Sequence, residues 1–511
     1  MTSGIHHVTA ITRDVQKNVD FYAGFLGLRL VKQTGGFEDA EQLHLFYGDA
    51  AGSPGSIVTF LVWEAGAAGR TGLGQVSEIA FAVPPGSIGE WLQRAMSAGV
   101  PAEGPGHEFG ETVLRLRDPD GIIVKLVGSE MAVAAPLPDL IAPRRIHGVT
   151  ILTDNPEASA DFTARFGYRP GPEEGHIRRM VSDTDNVDIR DARGYFPGIP
   201  GASIFDHVAF RAADNEAVQQ MRLDLRDADS ATNVHDRKYF LSLYVREPAG
   251  TLFEFATDAP GFAVDEPLEH LGETLFLPLG NEARAADLRV MLPQFARPGE
   301  ERMPKRDLPF VHRFHTPADP DGSVIVLLHG SGRNETDLMP MAAKANPRAT
   351  LLGVRGRSTE EGMNRWFRRL DAMRFDQDDI RAEAEAFSAF IDDAIRGYGL
   401  DGGRMSFMGY SNGANLICAI LQLHPGTIHR AILLRALQAL EEPPQTDLSG
   451  VSVLMITGEH DPYRRKAPAL EKALGTGGAA LDAWEIDAGH ELTETDLGLI
   501  RDWLAKFEER T

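Results

Sequence analysis

Two kinds of hydrophobic pattern divide the chain, and the change falls near residue 310. Before it, short stretches alternate apolar and polar positions: HHVTAIT (6–12), SEIAFAV (77–83), HGVTILT (147–153) and DHVAFRA (206–212). Period-two runs of this length predict half-buried strands. Amphipathic segments such as VQKNVDFYAGFLG (15–27) and GEWLQRAMSAG (89–99) predict helices between them. Further strands follow turn signals, as in DPDG-IIVKLV (118–127) and EPAG-TLFEFA (247–256). The result is four βαββ-type units, roughly 4–65, 74–130, 145–200 and 203–258.

The units are copies. Ile5-His6-His7-Val8-Thr9 recurs as Ile146-His147-Gly148-Val149-Thr150, and Asp20-Phe21 recurs as Asp161-Phe162 at the same offset of 141. Glu78–Phe81 matches His207–Phe210, and Arg117–Gly121 matches Arg246–Gly250, both at an offset of 129. Two matches at one offset mean that the intervening segment has kept its length, which points to internal duplication.

Beyond residue 310 the runs are continuously apolar: VIVLLHG (324–330), ATLLGV (349–354), MSFMGY (405–410), AILLRA (431–436) and VSVLMITG (451–458), separated by helical segments. That predicts a parallel sheet buried on both faces. Between the two patterns, ARPGEERMPKRDLP (296–309) is charged, proline-rich and without apolar period, as a linker would be. The predicted domains are 1–135 (modules one and two), 136–290 (modules three and four), a linker at 291–309, and 310–511. The fold class is multidomain: α+β repeats followed by an α/β unit.

Composition narrows the partners. The 511 residues carry 51 Lys+Arg against 74 Asp+Glu, a net charge of −23, which repels nucleic acid and anionic membrane. The single cysteine, Cys418, excludes an internal disulfide and a cysteine zinc site, in keeping with a reducing cytoplasm. With no signal-peptide pattern at the N-terminus and no apolar stretch of spanning length, the expectation is a cytoplasmic protein with no membrane partner. Oligomeric state stays open, a homo-oligomer included.

The repeat also shows which residues depart from the common pattern. Units one and four offer His7, His207 and Glu254; at matching places units three and two offer Gly148, Glu78 and Lys125. Glycine has no ligating side chain and lysine is normally cationic, so only the first set reads as a metal site, a 2-His-1-carboxylate triad of the non-haem Fe(II) kind. Taken singly, the histidines could be core residues and Glu254 an ion pair, with Arg237 as its partner.

These residues resemble the vicinal-oxygen-chelate (glyoxalase-like) superfamily, whose paired βαβββ modules form a metal cleft. The stretches GIHHVTAIT, FYAGFLGLRLVK, HLFYGDAAGSPGSIVTF, FDHVAFR and DRKYFLSLYVREPAGTLFEFATD are closest to its ring-cleaving dioxygenases of hydroquinones, over about residues 4–290. The resemblance implies Fe(II), with Mn(II) as an alternative, on His7, His207 and Glu254. It implies a hydroquinone-like aromatic and O₂ as substrates, with His6, Thr9, Arg237 and Tyr244 around them. One departure is Asp206, where many such enzymes carry a second histidine. A four-ligand glyoxalase-type lyase would need a carboxylate at Thr59.

In the last 200 residues, Gly409-Tyr410-Ser411-Asn412-Gly413 stands between a predicted strand and a predicted helix, the context of a nucleophile elbow. Asp461 and His490 follow in the order of an α/β-hydrolase triad, with His490 as base and Asp461 as its orienting group. The backbone N–H groups of Ser331, after His329-Gly330, and of Asn412 are candidates for the oxyanion hole. LLHGSGRNETDLMPMA, GYSNGAN, TGEHDPY and AGHEL resemble the phospholipase/carboxylesterase family, which implies a small ester or thioester substrate. The sequence therefore reads as a bifunctional enzyme, a dioxygenase joined to a serine carboxylesterase. The alternative is an active esterase carrying a non-catalytic aromatic-binding or glyoxalase-like module.

Overall fold

The computed structural model describes residues 4–131, 135–228, 230–302, 306–371 and 374–508. It resolves into two compact units, Met1–Ala285 with Phe295–Arg302, and Ala286–Gln294 with Met303–Thr511. The segment read as a linker is thus shared out: Phe295–Arg302 packs with the first unit, and residues 303–305 lie outside the described residues.

The first unit is built from two sheets, each combining one module from either half of the repeat. In the nine-stranded sheet, Ile5–Thr12 pairs antiparallel with Phe205–Ala212 and parallel with Ile57–Val62. Phe205–Ala212 pairs in turn, parallel, with Leu252–Pro260. Module one therefore joins module four. The eight-stranded sheet joins modules two and three through Gln75–Val83 and Arg145–Thr153. The boundary read at residue 135 separates stretches of sequence, and each sheet takes one module from either side of it. One local difference lies in the first helix. The helix read over 15–27 is α-helical only for Val15–Val19, capped by the Asp14 side chain, and then widens into a π-turn at Asp20–Phe25. Ile88–Ala98 ends as its sequence predicts, on Gly99 in the left-handed conformation (φ 68°).

In the second unit the predicted runs become Val324–Leu328, Thr350–Val354, Met405–Tyr410, Arg430–Leu434 and Ser452–Gly458, all parallel. Successive residues feed opposite cores. Val324, Val326 and Leu328 pack with helices Gln377–Tyr398 and Asn412–Leu423, whereas Ile325 and Leu327 pack with Met339–Ala345 and Glu494–Glu508. Both faces are covered, which is why alternation is absent from the sequence. Among the described residues no helix is long and apolar enough to cross a membrane.

The eight-stranded sheet shows what became of the second copy of the cleft. Gly148 stands at the place of His7, and a Cβ there would lie 2.5 Å from the Asn186 carbonyl oxygen, so no ligand fits. Lys125, at the place of Glu254, is buried with its ammonium 3.0 Å from Glu108, 3.7 Å from Glu78 and 3.8 Å from Asp188. Arg115 grips Glu78 at 3.1 and 3.2 Å, and Arg179 grips Asp188 at 2.7 and 2.9 Å. Glu78, Glu108 and Asp188 are thus met by Lys125, Arg115 and Arg179, and Arg179 also reaches Glu111 at 3.5 Å, which pairs with His147 at 3.0 Å. Replacing Lys125 with Met is expected to cost about 3–5 kcal/mol, because it leaves buried carboxylates short of a partner. Urea unfolding of the full chain, followed by circular dichroism, checks this; a cost below about 1 kcal/mol would contradict it.

Candidate functional sites

The nine-stranded sheet brings His7, His207 and Glu254 together, all buried, from three neighbouring strands. Their facing atoms form a small triangle: His7 Nε2 lies 3.3 Å from His207 Nε2, and Glu254 Oε2 lies 3.1 and 2.9 Å from the two nitrogens. These are the separations of adjacent corners of an octahedron with bonds of about 2.1 Å, roughly 3.0 Å. Burial pushes the Glu254 carboxyl up, but the two histidines overrule it and hold the group well below the usual carboxylate range. Among the described residues Oε1 has no hydrogen-bond partner and Oε2 faces only the two imidazole nitrogens, a costly setting for a carboxylate with no exposure unless a cation meets it. The donor set therefore fits a divalent first-row metal.

Neighbours aim the ligands. His207 Nδ1 is 2.7 Å from the Asp206 carboxylate, which fixes the proton on Nδ1 and turns Nε2 towards the centre. The departure noted at Asp206 is thus an orienting carboxylate. His6 was expected beside the substrate, and its position differs: it is buried behind His7, Nδ1 to Nδ1 at 2.9 Å, against Phe240, and is not among the residues lining the cleft. Burial drives its basicity down, to a pKa of about 3, so it stays neutral as a partner for His7. Consecutive strand residues face opposite ways, and a bulge between Ile5 and His7 lets the two rings meet.

The triad opens into a cavity of about 500 Å³, walled by apolar side chains including Phe37, Leu61, Phe240 and Leu252. Arg237 and Tyr244 also line it. Arg237 pairs with Glu38 at 2.7 Å rather than with Glu254, and its guanidinium lies 5.4 Å from the Tyr244 ring. Burial, reinforced by Glu254, holds the Tyr244 phenol well above its ordinary pKa, so it keeps its proton. The sequence reading missed His44 as a site residue. It lines the cavity and its Nε2 is 2.9 Å from Thr59 Oγ1, which is 2.9 Å from Thr9 Oγ1.

In the second unit Ser411, His490 and Asp461 meet. His490 Nε2 is 3.0 Å from Ser411 Oγ, and its Nδ1 is 2.8 Å from Asp461. Ser411 has φ 50° and ψ −110°, the strained turn that lifts its hydroxyl off the sheet. The flanking glycines permit it: a Cβ on Gly409 would lie 2.6 Å from Ala414 N, and one on Gly413 would lie 2.1 Å from Leu328 O.

Two supports were invisible in the sequence. Fully buried Arg435 pairs with Asp496 at 2.7 and 2.9 Å and donates to the carbonyls of Gly489 and Glu491. Tyr410 donates to the carbonyl between them, so three successive carbonyls around His490 are pinned. His329 accepts from Gly356 N–H and donates to the Gly330 carbonyl, which fixes the loop carrying Ser331. Asn412 begins the helix after the nucleophile, where its N–H has no intrahelical acceptor, and its side-chain oxygen accepts from Trp366 N–H. Trp366 and Phe367 are core residues with no exposure, and Cys418 is buried.

Comparison with known proteins agrees with both units. The family profile "Glyoxalase/Bleomycin resistance protein/Dioxygenase superfamily" matches residues 4–126. "Putative ring-cleaving dioxygenase MhqO" of Bacillus subtilis is 38% identical over 304 residues, covering 58% of this chain and 97% of that protein. "Chlorohydroquinone/hydroquinone 1,2-dioxygenase" of Sphingobium indicum is 31% identical over 288 residues, 53% of this chain and 89% of its own. "Putative hydrolase MhqD" of Bacillus subtilis is 34% identical over 183 residues, 35% of this chain and 92% of that protein. The chain belongs to the glyoxalase/bleomycin resistance protein/dioxygenase superfamily through its ring-cleaving-dioxygenase-like N-terminal region, and carries an α/β-hydrolase unit as its C-terminal region.

Proposed function

We propose that the chain is a bifunctional enzyme: an Fe(II)-dependent ring-cleaving dioxygenase of hydroquinone-like aromatics joined to a serine carboxylesterase. The observation that carries the first activity is a buried carboxylate whose Oε2 faces two imidazole nitrogens and, among the described residues, nothing else, at the end of an aromatic-sized cavity. His7, His207 and Glu254 would hold the metal. Fe(II), when bound, supplies the redox centre at which aromatic and dioxygen react. The protein's own groups do the rest. Phe240 and Leu252 exclude water around the ring, Tyr244 keeps a proton to give to developing oxyanion, and Arg237 offers positive charge beside it. The named relative acting on hydroquinones supports this substrate class. A four-ligand lyase is disfavoured because Thr59 stands where its fourth ligand would be.

In the second activity His490 removes the Ser411 proton as the serine attacks an ester carbonyl, and Asp461 stabilises the imidazolium. The N–H groups of Ser331 and Asn412 would receive the oxyanion. The alcohol leaves with the proton from His490, and water activated by the same histidine releases the acid.

Protein loaded anaerobically with Fe(II) is expected to hold one iron per chain and to take up O₂ with hydroquinone; Glu254→Ala is expected to lose both. Iron and oxygen assays check this, and bound iron with no uptake across substituted hydroquinones would contradict it. Ser411→Ala is expected to lower 4-nitrophenyl acetate hydrolysis by on the order of 10⁴-fold or more while leaving O₂ uptake unchanged. An esterase rate that survives Ser411→Ala, or falls in Glu254→Ala, would contradict two independent sites.

A further inference from the structure

Donor and acceptor accounting around Thr9 fixes a direction that the triad alone does not show. Strand Ile57–Val62 runs parallel to Ile5–Thr12 with Thr59 opposite Thr9, so their hydroxyls meet at 2.9 Å. His44, from Leu43–Gly48 on the other side, reaches diagonally to Thr59 at 2.9 Å. Thr9 Oγ1 lies 2.9 Å from His207 Nε2, the ligand atom itself. The four groups form one line: His44, Thr59, Thr9, His207.

The line has one consistent polarity. His44 Nδ1 is buried without a partner, and a lone pair is cheaper to strand than an N–H, so the proton belongs on Nε2, which has Thr59 as acceptor. Burial, which lowers the basicity of His44, agrees with a neutral ring. Thr59 has no exposure, and among the described residues its hydroxyl meets only His44 and Thr9. Receiving from His44, it must donate to Thr9 or leave its own proton stranded. Thr9 oxygen is then committed as an acceptor, and its proton points to the ligand triangle. There His207 Nε2, 2.9 Å away and with its other nitrogen committed to Asp206, accepts that proton; a metal on Nε2 would take the lone pair and leave the Thr9 donor for an oxygen beside it.

We infer that His44 and Thr59 are positioning residues that make Thr9 an obligate hydrogen-bond donor to an oxygen held at the cavity face of the metal site. This rests on the ring-cleaving reading and adds a selection rule to it: the aromatic is favoured with that oxygen deprotonated, because a fixed donor bonds an anionic oxygen more strongly than a neutral phenol oxygen. The nonpolar isostere Thr59→Val breaks the line without touching a metal ligand, and His44→Leu breaks it one step further away.

The test uses full-length protein loaded with Fe(II) under argon and titrated with nitrohydroquinone, whose phenol and phenolate absorb at different wavelengths. Wild type is expected to bind the phenolate. Thr59→Val and His44→Leu are expected to keep one iron per chain, to bind about tenfold more weakly and to shift the bound chromophore towards the phenol. Thr59→Ser is expected to restore both affinity and spectrum. Should wild type turn over hydroquinone while both variants bind the phenolate with unchanged affinity, this inference is overturned and the ring-cleaving reading stands. A wild type with neither iron nor O₂ uptake overturns both.

Discussion

A carboxylate sealed inside a curled sheet needs a positive charge beside it, and the arrangement of the first unit follows from how each copy of the repeat meets that need. In the sheet formed by modules two and three the charge is covalent: Lys125 lies among Glu78, Glu108 and Asp188, with Arg115 and Arg179 alongside. In the sheet formed by modules one and four, Glu254 meets two imidazoles whose remaining nitrogens are engaged by His6 and Asp206, so both rings present Nε2 to the same point. One cleft is closed by its own side chains. Its counterpart opens into a cavity.

The same economy shapes the hydrolase unit. Ser411 is held off the sheet by glycines that tolerate backbone contact, and His490 is held by Arg435, a residue one position beyond the carbonyl that anchors Ser411 N–H. Nucleophile and base are thus referred to the end of one strand. Burying a guanidinium and a carboxylate for this purpose is expensive unless every donor finds an acceptor, and the carbonyls flanking His490 complete the set. Each unit contains a whole set of groups for its own chemistry.

The ligands and the triad were legible in the sequence for different reasons. His7, His207 and Glu254 stood out because a duplicated sequence shows where two copies disagree, and only one copy offers three side chains that could hold a metal. Ser411, Asp461 and His490 stood out through local strand–turn–helix context and chain order. His44 gave no such signal: in LHLFYG it is one polar position in a strand, and its partners Thr59 and Thr9 become neighbours only through strand pairing. Arg435 was hidden in the run AILLRA, where it reads as the polar end of a buried strand. His6 was misplaced because adjacency in sequence puts consecutive strand residues on opposite faces. The edge strand His312–His315 was unread because its composition, HRFH, is too polar and too short for a pattern.

One copy of the cleft is proposed to carry a metal cation where the other carries a lysine. Anomalous scattering at the iron edge from crystals of Fe(II)-loaded protein tests it most directly. The account predicts one peak per chain in the first unit, within bonding distance of His7 Nε2, His207 Nε2 and Glu254 Oε2, and none beside Lys125. A peak among Glu78, Glu108 and Asp188, or none at the histidine pair in protein that retains iron, would contradict it.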